Sequence, residues 1–142
     1  MSTCTFFGHR ECPTDIRPKL RELLIDLIEN RSVTMFYVGR NGAFDRLVRS
    51  VLRELSEDYP QIRYAVVLER FPDRRDGNDS DTILPEGIEL APRRFAIDRR
   101  NQWMLRQSDM VVCYVTHSWG GAAKYAEMAE RQQKPVFRLA DR

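Results

Sequence analysis

Short apolar runs alternate with longer amphipathic stretches along the chain. Residues 3–7, 33–38, 62–68, 110–115 and 136–139 are nearly continuous runs of apolar, β-branched and aromatic residues. That pattern belongs to strands buried on both faces. Leu20, Leu23, Leu24, Leu27 and Ile28 recur at the i, i+3, i+4 spacing of one helical face. They predict a helix over 15–30, opened by Thr14 or Asp15 as cap, with Pro18 in its first turn. Phe44, Leu47, Val48, Val51, Leu52 and Leu55 predict a second helix over 42–57. Helical patterns follow over 94–107 and 122–132. Residues 70–92 are polar and rich in turn formers, and they read as one long loop. Loops of this length in compact domains commonly serve function, so a mobile flap able to order over a ligand is expected there.

The order β-α-β-α-β-loop-α-β-α-β defines the fold class. It predicts an α/β chain, residues 1–142 forming one domain around a Rossmann-like, doubly wound, mainly parallel five-stranded sheet with helices on both faces. Ligands in such sheets bind beyond the carboxyl ends of the strands, where the strand order reverses. The loops after the first, second and fourth strands therefore carry the candidate chemistry.

Composition narrows the picture. The chain has 142 residues, 23 basic and 21 acidic, for a net charge of +2. Near-balance argues against a nucleic-acid partner. No apolar run approaches the roughly 20 residues of a membrane span, so no membrane association is expected. The opening residues lack a charged segment followed by a long apolar one, so no signal peptide is expected and the cytoplasm is the predicted compartment. Three cysteines without Cys-x-x-Cys spacing predict neither a disulfide framework nor a cysteine-based zinc site, and no metal is expected.

Three loops contain suitable groups. Gly8-His9-Arg10 follows the first strand and places donors at its carboxyl end. Gly39-Arg40-Asn41-Gly42 follows the second and runs into a helix bearing Asp45 in its first turn. The glycines permit close backbone approach, the helix start offers N–H groups to an anion, and Asp45 can accept from ribose hydroxyls or from its own turn. Thr116-His117-Ser118-Trp119-Gly120-Gly121-Ala122 follows the fourth strand and opens another helix, with Lys124 and Glu127 in its first turns. Neither a Gly-x-Gly-x-x-Gly nor a Walker loop is present. Arg100 and Asn101 sit mid-helix beside Trp103 and Met104. Trp103 and Trp119 are the aromatics best placed to stack on a base.

Together, Gly39-x-x-Gly42-x-x-Asp45, Arg100-Asn101-x-x-Met104-x-x-x-Ser108-Asp109 and Gly120-Gly121 resemble the SLOG superfamily. These are Rossmann-like nucleotide-binding domains related to the DNA-processing protein DprA and to the LOG phosphoribohydrolases. The resemblance spans nearly the whole chain, and the run at residues 3–10 is similar to the start of short bacterial SLOG proteins. It implies a nucleotide-type ligand, no required cofactor, and a homodimer. On the LOG motif Pro-Gly-Gly-x-Gly-Thr-x-x-Glu, the paired glycines fall on Gly120 and Gly121 and the glutamate on Glu127. The Arg-Lys pair falls on Arg100 and Asn101. Glu127 and Arg100 thereby take the catalytic positions.

The departures from that motif are specific. Trp119 replaces proline, Ala123 glycine, Lys124 threonine and Asn101 lysine. Ala123 stands to crowd a phosphate, and Lys124 either supplies charge or pairs with Glu127. Three readings follow from the resemblance. The first is a module that binds a nucleoside monophosphate or an ADP-ribose-like ligand without turnover. The second is a phosphoribohydrolase releasing free base through Glu127 and Arg100. The third is a DprA-like single-stranded DNA binder.

Overall fold

The computed structural model describes residues 2–71 and 81–140. Its elements in chain order are β1 (Ser2–Gly8), α1 (Arg17–Asn30), β2 (Val33–Val38), α2 (Ala43–Asp58), β3 (Arg63–Val67), β4 (Asp81–Ile83), α3 (Ala96–Gln107), β5 (Met110–Tyr114), α4 (Gly121–Arg131) and β6 (Val136–Arg138). The six strands form one sheet in the order β4-β3-β2-β1-β5-β6, and every neighbouring pair is parallel.

Alternation along β1 explains the two layers of helices. Cys4 and Phe6 point to one side, where Leu20, Leu24 and Leu27 of α1 join Val48, Leu52 and Leu55 of α2 in one apolar core. Phe7 points to the other, where Met104 and Leu105 of α3 meet Tyr125 and Ala126 of α4 in a second. Successive crossovers from β1 through β3 run one way and the later ones return past β1, which places the two helix pairs on opposite faces. Thr5, also buried, donates its hydroxyl to the Tyr37 carbonyl at 2.8 Å, so its polar atom is satisfied within the sheet.

The sheet has six strands where the apolar pattern predicts five. β4 lies inside the stretch read as loop, and pairs with β3 at Ala65–Asp81, Val66–Thr82 and Val67–Ile83. An edge strand bonds on one side only, and its Asp81 and Thr82 are exposed. It carries no hydrophobic run for a sequence pattern to register. The expected flap over 70–92 falls partly on residues 72–80, outside the described residues.

Two helix starts also differ. A 3-10 turn at Thr14–Ile16 leads directly into α1, whose N-cap position is Ile16 without a side-chain cap bond. Neither Thr14 nor Asp15 caps it, because the backbone at Ile16 is already helical. Likewise Arg93–Phe95 form a 3-10 turn ahead of α3. None of the helices is long and apolar enough to cross a membrane, among the described residues. Leu52, fully buried between α2 and the sheet, is predicted to cost about 2–5 kcal/mol of stability as Leu52→Ala, measured by urea unfolding.

Candidate functional site

The strand order reverses at β1, which pairs with β2 on one side and β5 on the other. Beyond the carboxyl ends of β1 and β5 lies a cavity of about 480 Å³. Its walls come from the loop after β1 (Gly8, His9, Arg10, Glu11), the start of α2 (Asn41, Asp45), one face of α3 (Ile97, Arg100, Asn101, Met104) and the start of α4 (His117, Trp119, Gly120, Gly121, Ala122). Such volume suits a small organic ligand.

The floor is ionic. Arg100 is 2% exposed, and its Nε donates to Asn101 Oδ1 at 3.0 Å while Nη1 donates to the Val67 carbonyl at 3.3 Å. Glu69 Oε2 stands 3.5 Å from the same Nη1, and Asp45 adds a second negative charge. Burial pulls the guanidinium below arginine's ordinary value, and Asp45 and Glu69 oppose that pull. Burial pushes the Asp45 carboxyl up, opposed by Arg100 and by the Asn41 N–H that donates to Oδ2 at 2.9 Å. Gly39 makes this packing possible. A Cβ there would lie 2.8 Å from Asp45 Oδ2 and 3.0 Å from the guanidinium carbon. Gly42 has φ 101°, and a side chain there would meet the Arg10 backbone at 2.5 Å. The two glycines therefore shape the cavity from behind instead of lining it.

α4 presents its amino end to the cavity. Gly120 has φ 94° and no side chain caps the helix. The first helical bond runs from Lys124 N–H to the Gly120 carbonyl at 3.1 Å, so the N–H groups of Gly121, Ala122 and Ala123 have no partner inside the helix. The Ala123 methyl is buried in the core on the α3–α4 side, so it does not crowd that end. Lys124 pairs with Asp98 at 2.9 Å, where the Tyr125 hydroxyl also donates at 2.6 Å. The Lys124–Glu127 pair is not formed.

Several sequence candidates lie elsewhere. Glu127 is outside the lining, with its side chain 58% exposed and paired with Arg131 at 2.6 Å. It sits on the outer face because α4 turns Tyr125, Ala126 and Ala129 toward the sheet. Arg40 forks onto Glu69 at 3.1–3.2 Å, behind the floor. Thr116 lends its backbone N–H to His9 Nε2 at 2.9 Å and so orients that ring. Trp103 packs edge-on against Tyr37 in the α3–α4 core, whereas Trp119 is 69% exposed at the rim. Sequence reasoning missed Glu11, Glu69 and Ile97. Glu69 closes the strand end that precedes the long polar stretch, a position that would have flagged it.

Two of the cavity's own atoms are buried without a hydrogen-bond partner among the described residues, Asn41 Oδ1 and His117 Nδ1. No cluster of three metal-ligating side chains occurs among the described residues. Arg100→Met would remove the cation that buried Asp45 shares with Glu69, while Glu69 keeps Arg40. A loss of about 3–5 kcal/mol at pH 7 is expected. Because Asp45 would then take up a proton more readily folded than unfolded, the loss should shrink as pH falls. Denaturant titrations at two pH values check both parts.

No family model and no curated protein sequence matches this chain. Its fold is similar to that of DNA processing protein A from Helicobacter pylori, a SLOG-family Rossmann-like protein whose structure was described for its single-stranded DNA binding mode. The TM-score is 0.64 at 16% identity, over 99% of this chain and 66% of that one. This chain thus spans just under two thirds of its neighbour's length. The near-neutral charge had argued against a nucleic-acid partner, and that argument falls, since a neighbour of this fold binds single-stranded DNA. Net charge averages a whole surface, whereas a strand reads only the potential where it lies. The likeness establishes the fold: a Rossmann-like α/β architecture shared with DNA processing protein A.

Proposed function

We propose that this chain is a SLOG-type binding domain that holds a nucleotidyl group in its cavity. That group is a nucleoside phosphate, either free or as one unit of a single nucleic-acid strand. The observation that carries the reading is the meeting, at the reversal of strand order, of an uncapped helix start and buried polar atoms that lack partners among the described residues.

Each part of the ligand has a counterpart. The unpaired N–H groups of α4 suit a phosphate. Asn101 adds to them: its Oδ1 is taken by Arg100, so Nδ2 is turned away, and it lies 3.8 Å from where a Gly121 Cβ would stand. Arg10, exposed at the rim and in no ion pair among the described residues, adds positive charge. Asn41 Oδ1 needs a donor, which a ribose hydroxyl supplies. Arg100 is a positioning residue here, since its bonds go to Asn101, Val67 and Glu69. Binding is favoured over base release because Glu127 points away from the cavity and Arg100 is already opposed by two carboxylates.

The test is calorimetry of the purified chain with nucleoside monophosphates and with a short single-stranded oligonucleotide, followed by mass spectrometry of the mixture. Nucleotide recovered intact is the expected result, with Arg10→Ala weakening binding severalfold. Oligonucleotide binding that is tighter than mononucleotide binding and falls steeply with salt would assign the strand as the natural source. Equal affinities would assign the free nucleotide. Free base in the mixture, lost in Glu127→Gln, would overturn the binding-only reading.

A further inference from the structure

The chain contains two histidines, and they lie on one another. His9, after β1, and His117, after β5, have ring centroids 3.7 Å apart and planes 15° from parallel. Trp119 lies 3.8 Å from His117 at 18°. Two rings at such distances cannot share one face, so His117 is the middle layer of a three-ring column. Trp119 ends the column at the rim of the cavity, one face against His117 and its side chain largely in solvent.

The column requires a neutral His9. His9 Nε2 accepts the Thr116 N–H at 2.9 Å, which an imidazolium cannot do. His117 Nδ1 is buried without a hydrogen-bond partner among the described residues, so the ring is held by stacking on both faces. Two stacked imidazolium rings would also repel each other. Burial first, and His117 second, hold His9 below the ordinary imidazole value. The other ionisable groups nearby are Arg10 and Glu11 on its own loop, Asp45 of α2, Arg100 of α3, and Tyr114 edge-on at the end of β5, with Cys12 and Asp15 bearing on Tyr114.

We propose that this column is a proton-sensitive platform for a nucleobase. The base stacks on the outer face of Trp119 as a fourth layer, and the column stands only while His9 is neutral and accepts the Thr116 N–H. The proposal rests on the nucleotidyl reading of the cavity. The sign follows from linkage. Open loops bind protons more readily than the column does, so the column is fully favoured above about pH 6.5 and is lost as pH falls from there.

The experiment compares guanosine monophosphate with ribose 5-phosphate, which shares the phosphate and lacks the base. The ratio of their affinities cancels the ionisation of the phosphate itself. At about pH 8 the base should add tenfold or more, a typical gain for base–aromatic stacking. That gain should fall severalfold at about pH 5, with far-ultraviolet circular dichroism unchanged. Trp119→Ala, at an exposed position, should abolish the gain. In the ligand-free protein, proton NMR should show ring contacts between His9 and His117 and between His117 and Trp119 that vanish as the His9 signal titrates. Contacts that persist to pH 5 would overturn the switch. Ribose 5-phosphate binding with no gain from the base, or a gain that survives Trp119→Ala, would sink the platform alone. If neither ligand binds, the nucleotidyl reading fails and the platform falls with it.

Discussion

A guanidinium removed from water at the carboxyl edge of a parallel sheet must find its partners inside the protein, and the site is organised around that demand. Arg100 meets it with the Val67 carbonyl at the end of β3, Glu69 just beyond, Asn101 on its own helix, and the charge of Asp45 on α2. These contacts tie α2, α3 and the end of β3 to one point. The cost of burying a charge is large and falls steeply only with close, multiple partners. Small displacements of any one element are therefore opposed by all the others. Gly39 belongs to the same arrangement, because any side chain there would occupy the space of the ion pair.

The rest of the cavity follows from topology. β1 sits at the reversal of strand order, so its loop and the loop after β5 leave in opposite directions and part to form a crevice. The crevice is asymmetric. Its floor is charged and fixed, with Asn101 held by Arg100, while its rim is aromatic and carries His9, His117 and Trp119. A nucleotidyl group has the same division, since its base is flat and polarisable and its phosphate is anionic. The uncapped start of α4 lies between the two regions.

The departures from the LOG pattern find a physical sense in this geometry. Trp119, in place of proline, extends outward and becomes the end of a ring column. Ala123 turns its methyl into the core. Lys124 is engaged by Asp98, and Glu127 by Arg131 one turn along the same exposed face. What remains at the helix start is a set of backbone donors with the side-chain chemistry moved elsewhere, an arrangement suited to holding an anion.

Periodicity alone made much of the architecture readable. Buried strands such as Val33–Val38 and the leucine face of α1 owe their positions to local hydrophobic spacing, which one pass along the chain detects. The glycine-flanked loops at the strand ends were readable for the same local reason. β4 was not, because an edge strand held by backbone bonds to β3 needs no hydrophobic signature. Nor was the choice among carboxylates. Glu127 matches a motif, yet the rotation of α4 about its axis turns it to solvent, while Glu69 matches none and reaches Arg100 because β3 ends beside α3. The pairing of His9 with His117 spans more than a hundred residues and depends on β1 and β5 being neighbours. The sequence by itself determined which segments fold and which loops gather at one edge, since burial is decided by nearby spacing. Which side chains meet at that edge was decided only by the tertiary structure, since contact depends on strand order and helix rotation that no local pattern encodes.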